Sequence, residues 1–234
     1  MTLITTINYS INEQFVNAYP EDSPNLFLLD VQTEQHDAID NILKVPVTYF
    51  PVIRARVVTA NGVAAADIES SESGDDPTRV FNLSYADTVM DTEFITETLT
   101  NDTLYTPIEG QNANASTLTQ VQPLSILDTA ADMLDVDMGD QITFNIQGIE
   151  LTGQITSIRS RFERGSSPFF YFLFEPSVLS AAPQIQFATA NVDADSIPDL
   201  QGELVRAFPA VTTIDGTIIA EQVQGLVAQM SRLV

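Results

Sequence analysis

The fold of this part of the chain is best predicted from the sequence Met138-Gly-Asp-Gln-Ile-Thr-Phe-Asn-Ile-Gln-Gly148, continued by Glu150-Leu-Thr-Gly-Gln-Ile-Thr-Ser-Ile158. Residues 141–146 alternate apolar and polar side chains, Gln147-Gly148 is a turn sequence, and the second stretch alternates again. Alternation on both sides of a short turn predicts an antiparallel β-hairpin. We expect a helix at Ser125–Leu134 before it, ended by the turn Asp135–Asp140.

Two strand-helix-strand units lie on either side of this hairpin. Each consists of a short apolar run, an amphipathic stretch and a second strand-like run. The first unit comprises residues 25–31, 33–44 and 49–58, and the second comprises residues 184–192, 197–208 and 210–215. Thr33 is the expected N-cap of the first helix. Two such units in one sheet predict an α+β protein with a split, ferredoxin-like arrangement. Polar stretches at 64–77 and 101–120 bracket a second, inserted subdomain.

The two ends of the chain have amphipathic patterns. Apolar residues recur there at spacings of three and four residues: Ile4, Ile7, Ile11, Phe15 and Ala18 near the start, and Ile219, Val223, Leu226, Met230 and Leu233 near the end. Such stripes predict helices with one apolar face, and neither pattern contains a cap or stop signal. We expect stalk helices at 1–24 and 217–234. The alternative is two ordinary terminal helices docked on the core.

The composition excludes several classes of protein. The chain has 9 Lys plus Arg against 32 Asp plus Glu, a formal charge of -23, which would repel nucleic acid. With no cysteine, it can have no disulfide or thiolate metal site. We expect no signal peptide at Met1–Val16, and the best apolar run, Phe169–Phe174, is too short to span a membrane. The polar residues are mainly Asp, Glu, Asn and Thr, a composition typical of extracytoplasmic and salt-adapted proteins.

Several segments, in this order, resemble one family. They are Phe50–Val58, Phe81–Tyr85, Met138–Arg159, Pro168–Phe174 and Leu204–Pro209. Together they resemble the extracytoplasmic, MacB-like periplasmic core domain of FtsX-like ABC transporter permeases, in particular the YbbP branch, and the resemblance covers most of residues 15–234. The chain departs from the family pattern at 160–167, where an aromatic stretch with Trp is expected, and at 93–120.

The resemblance implies a non-catalytic domain between the first and second membrane helices of a permease. A porter-like subdomain would comprise residues 25–75 and 184–216, and a β-rich, sabre-like subdomain would be inserted at 76–183. The implied location is the periplasmic side of the inner membrane. The implied partners are the membrane helices of the full-length chain, a cytoplasmic ABC ATPase subunit, and a periplasmic protein or lipid. No cofactor is expected.

One cluster of arginine and phenylalanine is a candidate contact site. Its members lie close together in the sequence: Arg159, Arg161, Phe162, Arg164, Phe169 and Phe170. Arginine beside aromatic residues is common at interfaces with proteins and anionic lipids. The alternative is that these arginines offset neighbouring carboxylates on an exposed loop.

Other motifs favour structural interpretations. His36 and Asp40, at a spacing of four residues, are too few to bind a metal ion, and a solvated helix face is the better interpretation. The acidic residues at 135–140 lack the glycine and glutamate positions of a calcium loop, which favours a helix stop. Asp128 and Asp215 lack the Asp-Thr/Ser-Gly order of aspartic proteases. The chain has no glycine-rich phosphate loop, so it is not itself the ATPase.

Two rivals to the permease domain remain open on sequence grounds. One is a free-standing secreted module that binds a peptide, lipid or glycan, which predicts a defined pocket. The other is a hydrolase, which predicts two carboxylates facing each other in a cleft with separated pKa values.

Overall fold

The computed structural model describes residues 23–68, 76–100, 103–108, 120–162 and 168–217. These residues form a mixed α+β protein dominated by strands, which confirms the predicted class. The stalk helices predicted at 1–24 and 217–234 lie outside the described residues, except for positions 23, 24 and 217.

The chain divides into two compact units. Among the described residues, the first unit contains 23–50 and 185–217, and the second contains 51–162 and 168–184. These units divide after Phe50, whereas the sequence prediction divided the subdomains after residue 75. The physical reason is that strand β2 (Val47–Ala60) pairs from Ile53 onwards with strands of the second unit.

The first unit has the predicted order strand, helix, strand twice. Its elements are β1 (Leu26–Val31), α1 (His36–Leu43) and the start of β2, followed by β10 (Ile185–Ala190), α4 (Ile197–Ala207) and β11 (Thr212–Asp215). Strand β1 pairs antiparallel with both β10 and β11. Leu26 and Leu28 on β1 pack with Ile39 on α1 and Leu204 on α4 in one apolar core.

Helix α1 begins differently from the prediction. Residues Thr33–Gln35 form a 3-10 turn, and the N-cap of that turn is Gln32, whose backbone N–H donates to the Oε1 of Gln35 at 2.8 Å. Thr33 is therefore the first residue of the turn and not its cap. The C-cap of α1 is Lys44, which adopts a left-handed conformation (φ 58°), a common way for a helix to end.

The second unit consists mainly of strands. Its elements, besides the rest of β2, are β3 (Val63–Ala64), β4 (Val80–Tyr85), β5 (Glu93–Thr98), β6 (Gln122–Leu127), α2 (Asp128–Leu134), β7 (Gln141–Ile146), β8 (Ile149–Arg161), β9 (Phe172–Phe174) and α3 (Pro176–Leu179).

Six of these strands close into a barrel. Each pairs with the next in the order β2, β4, β9, β6, β8, β7, and β7 pairs back with β2. The β4–β9 and β6–β8 pairs are parallel, and the other pairs are antiparallel. Closure removes the free edges of these strands. Strand β5 lies outside the circuit, against β8.

Alternate side chains of the strands fill the barrel. On β2, Ile53, Ala55 and Val57 are buried, whereas Arg54 and Arg56 are exposed, which is the division that the alternation predicts. Aromatic rings occupy much of the interior. Phe172 on β9 meets Phe144 edge to face, with ring centroids 4.9 Å apart.

The predicted hairpin is present as β7 and β8. Gln141 pairs with Gln154 and Ile146 with Ile149. Both turn residues have positive φ, 52° at Gln147 and 93° at Gly148, as a two-residue hairpin turn requires.

The helix predicted at Ser125–Leu134 begins only at Asp128. Residues Gln122–Leu127 are instead the strand β6, whose six residues are all buried. A short apolar run fits a buried strand as well as a buried helix, and pairing with both β8 and β9 decides the outcome here.

Candidate functional site

The end of β8 projects past its neighbour in the barrel. Strand β6 pairs with β8 as far as the Leu127–Arg159 pair, whereas β5 pairs with β8 as far as Glu93–Arg161. Among the described strands, Ser160 and Arg161 therefore pair only with β5. This end of β8 contains two of the six residues of the predicted contact cluster, Arg159 and Arg161, and a third, Phe162, follows it directly.

Arg159 is fully buried and forms an ion pair with Glu93, whose side chain is also inaccessible to solvent. The Nη1 of Arg159 donates to the Oε2 of Glu93. Its Nε donates to the hydroxyl of Ser125 at 2.9 Å, and its Nη2 donates to the carbonyl oxygen of Phe170 at 3.0 Å. A buried guanidinium of this kind persists only with such partners, so Arg159 is a structural residue.

The network continues from Ser125 into the loop 103–108. The hydroxyls of Ser125 and Ser157 are 2.7 Å apart, and the hydroxyl of Ser157 donates to the carbonyl oxygen of Leu104 at 2.7 Å. The hydroxyl of Tyr105 donates to the carbonyl oxygen of Phe174 at 2.7 Å. These contacts hold the loop 103–108 on the barrel.

Burial dominates the electrostatics of this region. It lowers the pKa of Arg159, and the charge and hydrogen bond of Glu93 oppose that shift. Burial also raises the pKa of Tyr105 above its ordinary value, against the opposing effect of Arg159. The raised pKa keeps the phenol of Tyr105 uncharged near neutral pH.

Tyr105 predicts a decline in stability at alkaline pH. Because its pKa is raised in the folded state, its contribution is fully present below about pH 10, the ordinary tyrosine value, and is lost as pH rises above that. For this residue, the free energy of unfolding is expected to fall by about 1.4 kcal/mol per pH unit above pH 10. Urea denaturation between pH 8 and 11.5 should show a shallower decline for Tyr105→Phe than for the unmodified chain.

Three exposed phenylalanines surround the same end of β8. Phe94, Phe162 and Phe169 are 40%, 52% and 40% exposed. The rings of Phe94 and Phe162 are 4.8 Å apart, and the guanidinium of Arg161 lies 4.0 Å from the ring centre of Phe169. We call Phe94, Arg161, Phe162 and Phe169 the aromatic end. Clustered exposed aromatics beside arginine are typical of interaction surfaces.

The structure separates the six residues of the predicted cluster. Arg159 and Phe170 are buried in this structure. Arg161, Phe162 and Phe169 are exposed and lie in the aromatic end. Arg164 lies outside the described residues. Glu93, Ser125, Ser157 and Tyr105 were not predicted; the one signal in the sequence was that Arg159 continues the inward-facing alternation of Leu151 and Ile155.

His36 and Asp40 do not form a metal site. The ring of His36 stacks on Tyr49 with centroids 3.7 Å apart, and the hydroxyl of Tyr49 donates to Asp40 at 2.7 Å. Burial, followed by the hydrogen bond to Asp40, raises the pKa of Tyr49. The described residues contain no group of three or more His, Cys, Asp or Glu side chains that could hold a metal ion.

The acidic segment 135–140 forms a helix stop and a turn. Asp135 ends α2 in a left-handed conformation (φ 51°). The Oδ2 of Asp140 accepts from the backbone N–H of Asp137 at 3.0 Å. Asp128 and Asp215 are likewise engaged locally: the first accepts from Thr129 and Ser160, and the second accepts from Thr217. These contacts account for the aspartates as structural acceptors.

Comparison with known proteins identifies the class that the chain resembles, the ABC transporter permeases. The match covers 229 residues, or 95% of this chain, at 25% identity. The relative is the uncharacterized ABC transporter permease YbbP of Escherichia coli (strain K12). The resemblance to this branch, predicted from the ordered segments, is thus confirmed. The chain spans a quarter of the length of the relative it matches.

Two solved structures show a weaker likeness. One is a domain of a protein from Porphyromonas gingivalis assigned as a permease, at 13% identity and a TM-score of 0.33, covering 83% of this chain and 90% of that one. The other is the extracellular domain of the noncanonic ABC-type transporter YknZ from Gram-positive bacteria, at 10% identity and a TM-score of 0.35, covering 87% and 95%. No protein-family model matches the chain. None of the helices in the described ranges is long and apolar enough to cross a membrane.

Proposed function

We propose that this chain is the extracytoplasmic domain of an ABC transporter permease and acts without catalysing a reaction. The observation that supports the proposal is the match to an ABC transporter permease along 95% of the chain. In this role the domain couples ATP-driven movement of membrane helices in the full-length protein to export, or to an extracytoplasmic partner. The ATP is hydrolysed by a separate cytoplasmic subunit.

The two units have the roles that the family resemblance implies. The first unit, with its two strand-helix-strand repeats, is the porter-like subdomain, and the barrel is the sabre-like subdomain. The segments at 1–24 and 217–234 connect the first unit to membrane helices of the full-length protein. Transmission of movement from the membrane requires a discrete change in at least one of these units.

The aromatic end is the contact site for an extracytoplasmic partner, a protein or a lipid. Its support is the exposure of Phe162 and Phe169 beside Arg161, which forms no ion pair within the described residues. A photoreactive benzoylphenylalanine at Phe162 of the full-length permease should crosslink to that partner. The same group at Val205, an exposed apolar position in the first unit, should not.

Coupling can be tested by hydrogen exchange on the full-length permease assembled with its ATPase subunit in lipid nanodiscs. We expect ATP, with a hydrolysis-deficient ATPase, to change exchange in at least one strand of residues 23–217. The control is the isolated chain with ATP, which should not change, because its sequence lacks a phosphate-binding loop. Identical exchange with and without ATP throughout these residues would refute coupling and favour a free-standing ligand-binding module.

A further inference from the structure

Strand β5 is attached to the barrel without an apolar face. Its only buried side chain is Glu93, whereas its apolar residues Phe94 and Ile95 are exposed and half-buried. A strand that docks on a sheet normally buries apolar side chains. Strand β5 is held instead by its backbone ladder with β8 and by the buried ion pair between Glu93 and Arg159.

The docked position of β5 leaves polar atoms unsatisfied. The Oε2 of Glu93 accepts from Arg159, but its Oε1 is buried without a hydrogen-bond partner in the described structure. The Oγ1 of the preceding Thr92 is also buried and unpaired. Water would satisfy both atoms if β5 left the barrel, so each atom favours release over docking.

The position of β5 allows it to leave without opening the barrel. It is the last strand in the order of pairing, and β8 is the one described strand with which it pairs. Strand β8 keeps its pairing with β6 and β7 when β5 is removed. Edge segments with few buried apolar contacts are the parts of a protein that open locally at low free energy.

We propose that β5 is a displaceable strand, latched by the Glu93–Arg159 ion pair, and that its release opens β8 to a partner segment. The open state presents an unpaired strand edge together with the guanidinium of Arg159, which needs a carboxylate. The partner that fits is an extended polypeptide segment with an acidic side chain at the position of Glu93. This property belongs to the isolated chain and does not depend on the transporter assignment.

Hydrogen exchange on this chain, followed by mass spectrometry, tests the latch. In the unmodified chain, peptides covering 93–98 should exchange at least tenfold faster than peptides covering β7. Glu93→Gln should accelerate the exchange of β5 on the order of 100-fold and leave β7 unchanged. Glu97→Gln, an exposed carboxylate on the same strand, should change the exchange of β5 less than about twofold. Equal exchange of β5 and β7 in the unmodified chain would overturn the proposal.

A double variant distinguishes release of β5 from misfolding of Glu93→Gln. In Glu93→Leu/Arg159→Met the buried charges are replaced by apolar side chains, so β5 should exchange no faster than in the unmodified chain. A synthetic peptide of residues 90–99, Met-Asp-Thr-Glu-Phe-Ile-Thr-Glu-Thr-Leu, should bind Glu93→Gln, and should bind at least tenfold more weakly when its own Glu93 is Gln. Exchange of β5 in the double variant as fast as in Glu93→Gln, or equal binding of the two peptides, would contradict the latch.

Discussion

Replacement of Phe172 with alanine is expected to lower the free energy of unfolding by about 3–5 kcal/mol, the range for removal of a buried aromatic side chain. Phe172 is 0% exposed in the barrel interior. Its ring meets Phe81 and Phe144 edge to face, with centroid distances of 5.4 and 4.9 Å, so the truncation removes two aromatic contacts as well as apolar area.

The matched control is Phe169→Ala, three residues earlier, where the side chain is 40% exposed. Its replacement should change stability by less than about 1 kcal/mol. Urea denaturation monitored by circular dichroism measures the free energy of unfolding of both variants. Circular dichroism is used because the chain has no tryptophan to report unfolding by fluorescence. Equal losses for the two variants would show that Phe172 is not in a packed core.

Replacement of Arg159 with methionine is expected to lower the free energy of unfolding by about 3 kcal/mol, because it leaves the carboxylate of Glu93 buried without a counterion. This value is at the lower end of the range for breaking a buried ion pair. The reason is that Glu93 lies on an edge strand, which can carry the carboxylate out to water.

Two comparisons isolate the ion pair. Arg161→Met removes an arginine two residues away on the same strand, where the side chain is exposed, and should cost less than about 1 kcal/mol. Adding Glu93→Leu to Arg159→Met should restore most of the lost stability, because no charge is then left buried. A double variant as unstable as Arg159→Met alone would exclude the unpaired carboxylate as the cause.

Local patterns in the sequence were sufficient for much of the secondary structure. The alternation at 141–146 and 150–158 and the turn at Gln147-Gly148 predicted the β7–β8 hairpin, and the apolar runs predicted both strand-helix-strand repeats. The ambiguous run was 122–127, where composition fits a helix or a strand. Closure of the barrel was not predicted, because it depends on pairings between distant segments, such as Arg56 with Asn145.

Local patterns in the sequence were also insufficient to predict the candidate site. The sequence prediction grouped six residues because they are near one another along the chain. Arg159 and Arg161 lie on the same face of β8, but Arg161 lies beyond the last pair with β6 and is exposed, whereas Arg159 is buried. The partner of Arg159 is Glu93, 66 residues earlier. No local pattern links the two. The predicted subdomain bounds differ from the two compact units for a related reason: β2 is one continuous strand, and only its pairing shows where the second unit begins.

The most direct test of the proposed extracytoplasmic domain is to determine on which side of the membrane this chain lies in the full-length protein. The chain contains no cysteine, so Phe162→Cys, at a position that is 52% exposed, introduces a single thiol into it once any cysteines elsewhere in the protein are replaced. If the domain is extracytoplasmic, a membrane-impermeant maleimide should label this thiol in intact cells as completely as in lysed cells, while a cysteine in the ATPase subunit should react only after lysis. Labelling of Phe162→Cys only after lysis would contradict an extracytoplasmic domain.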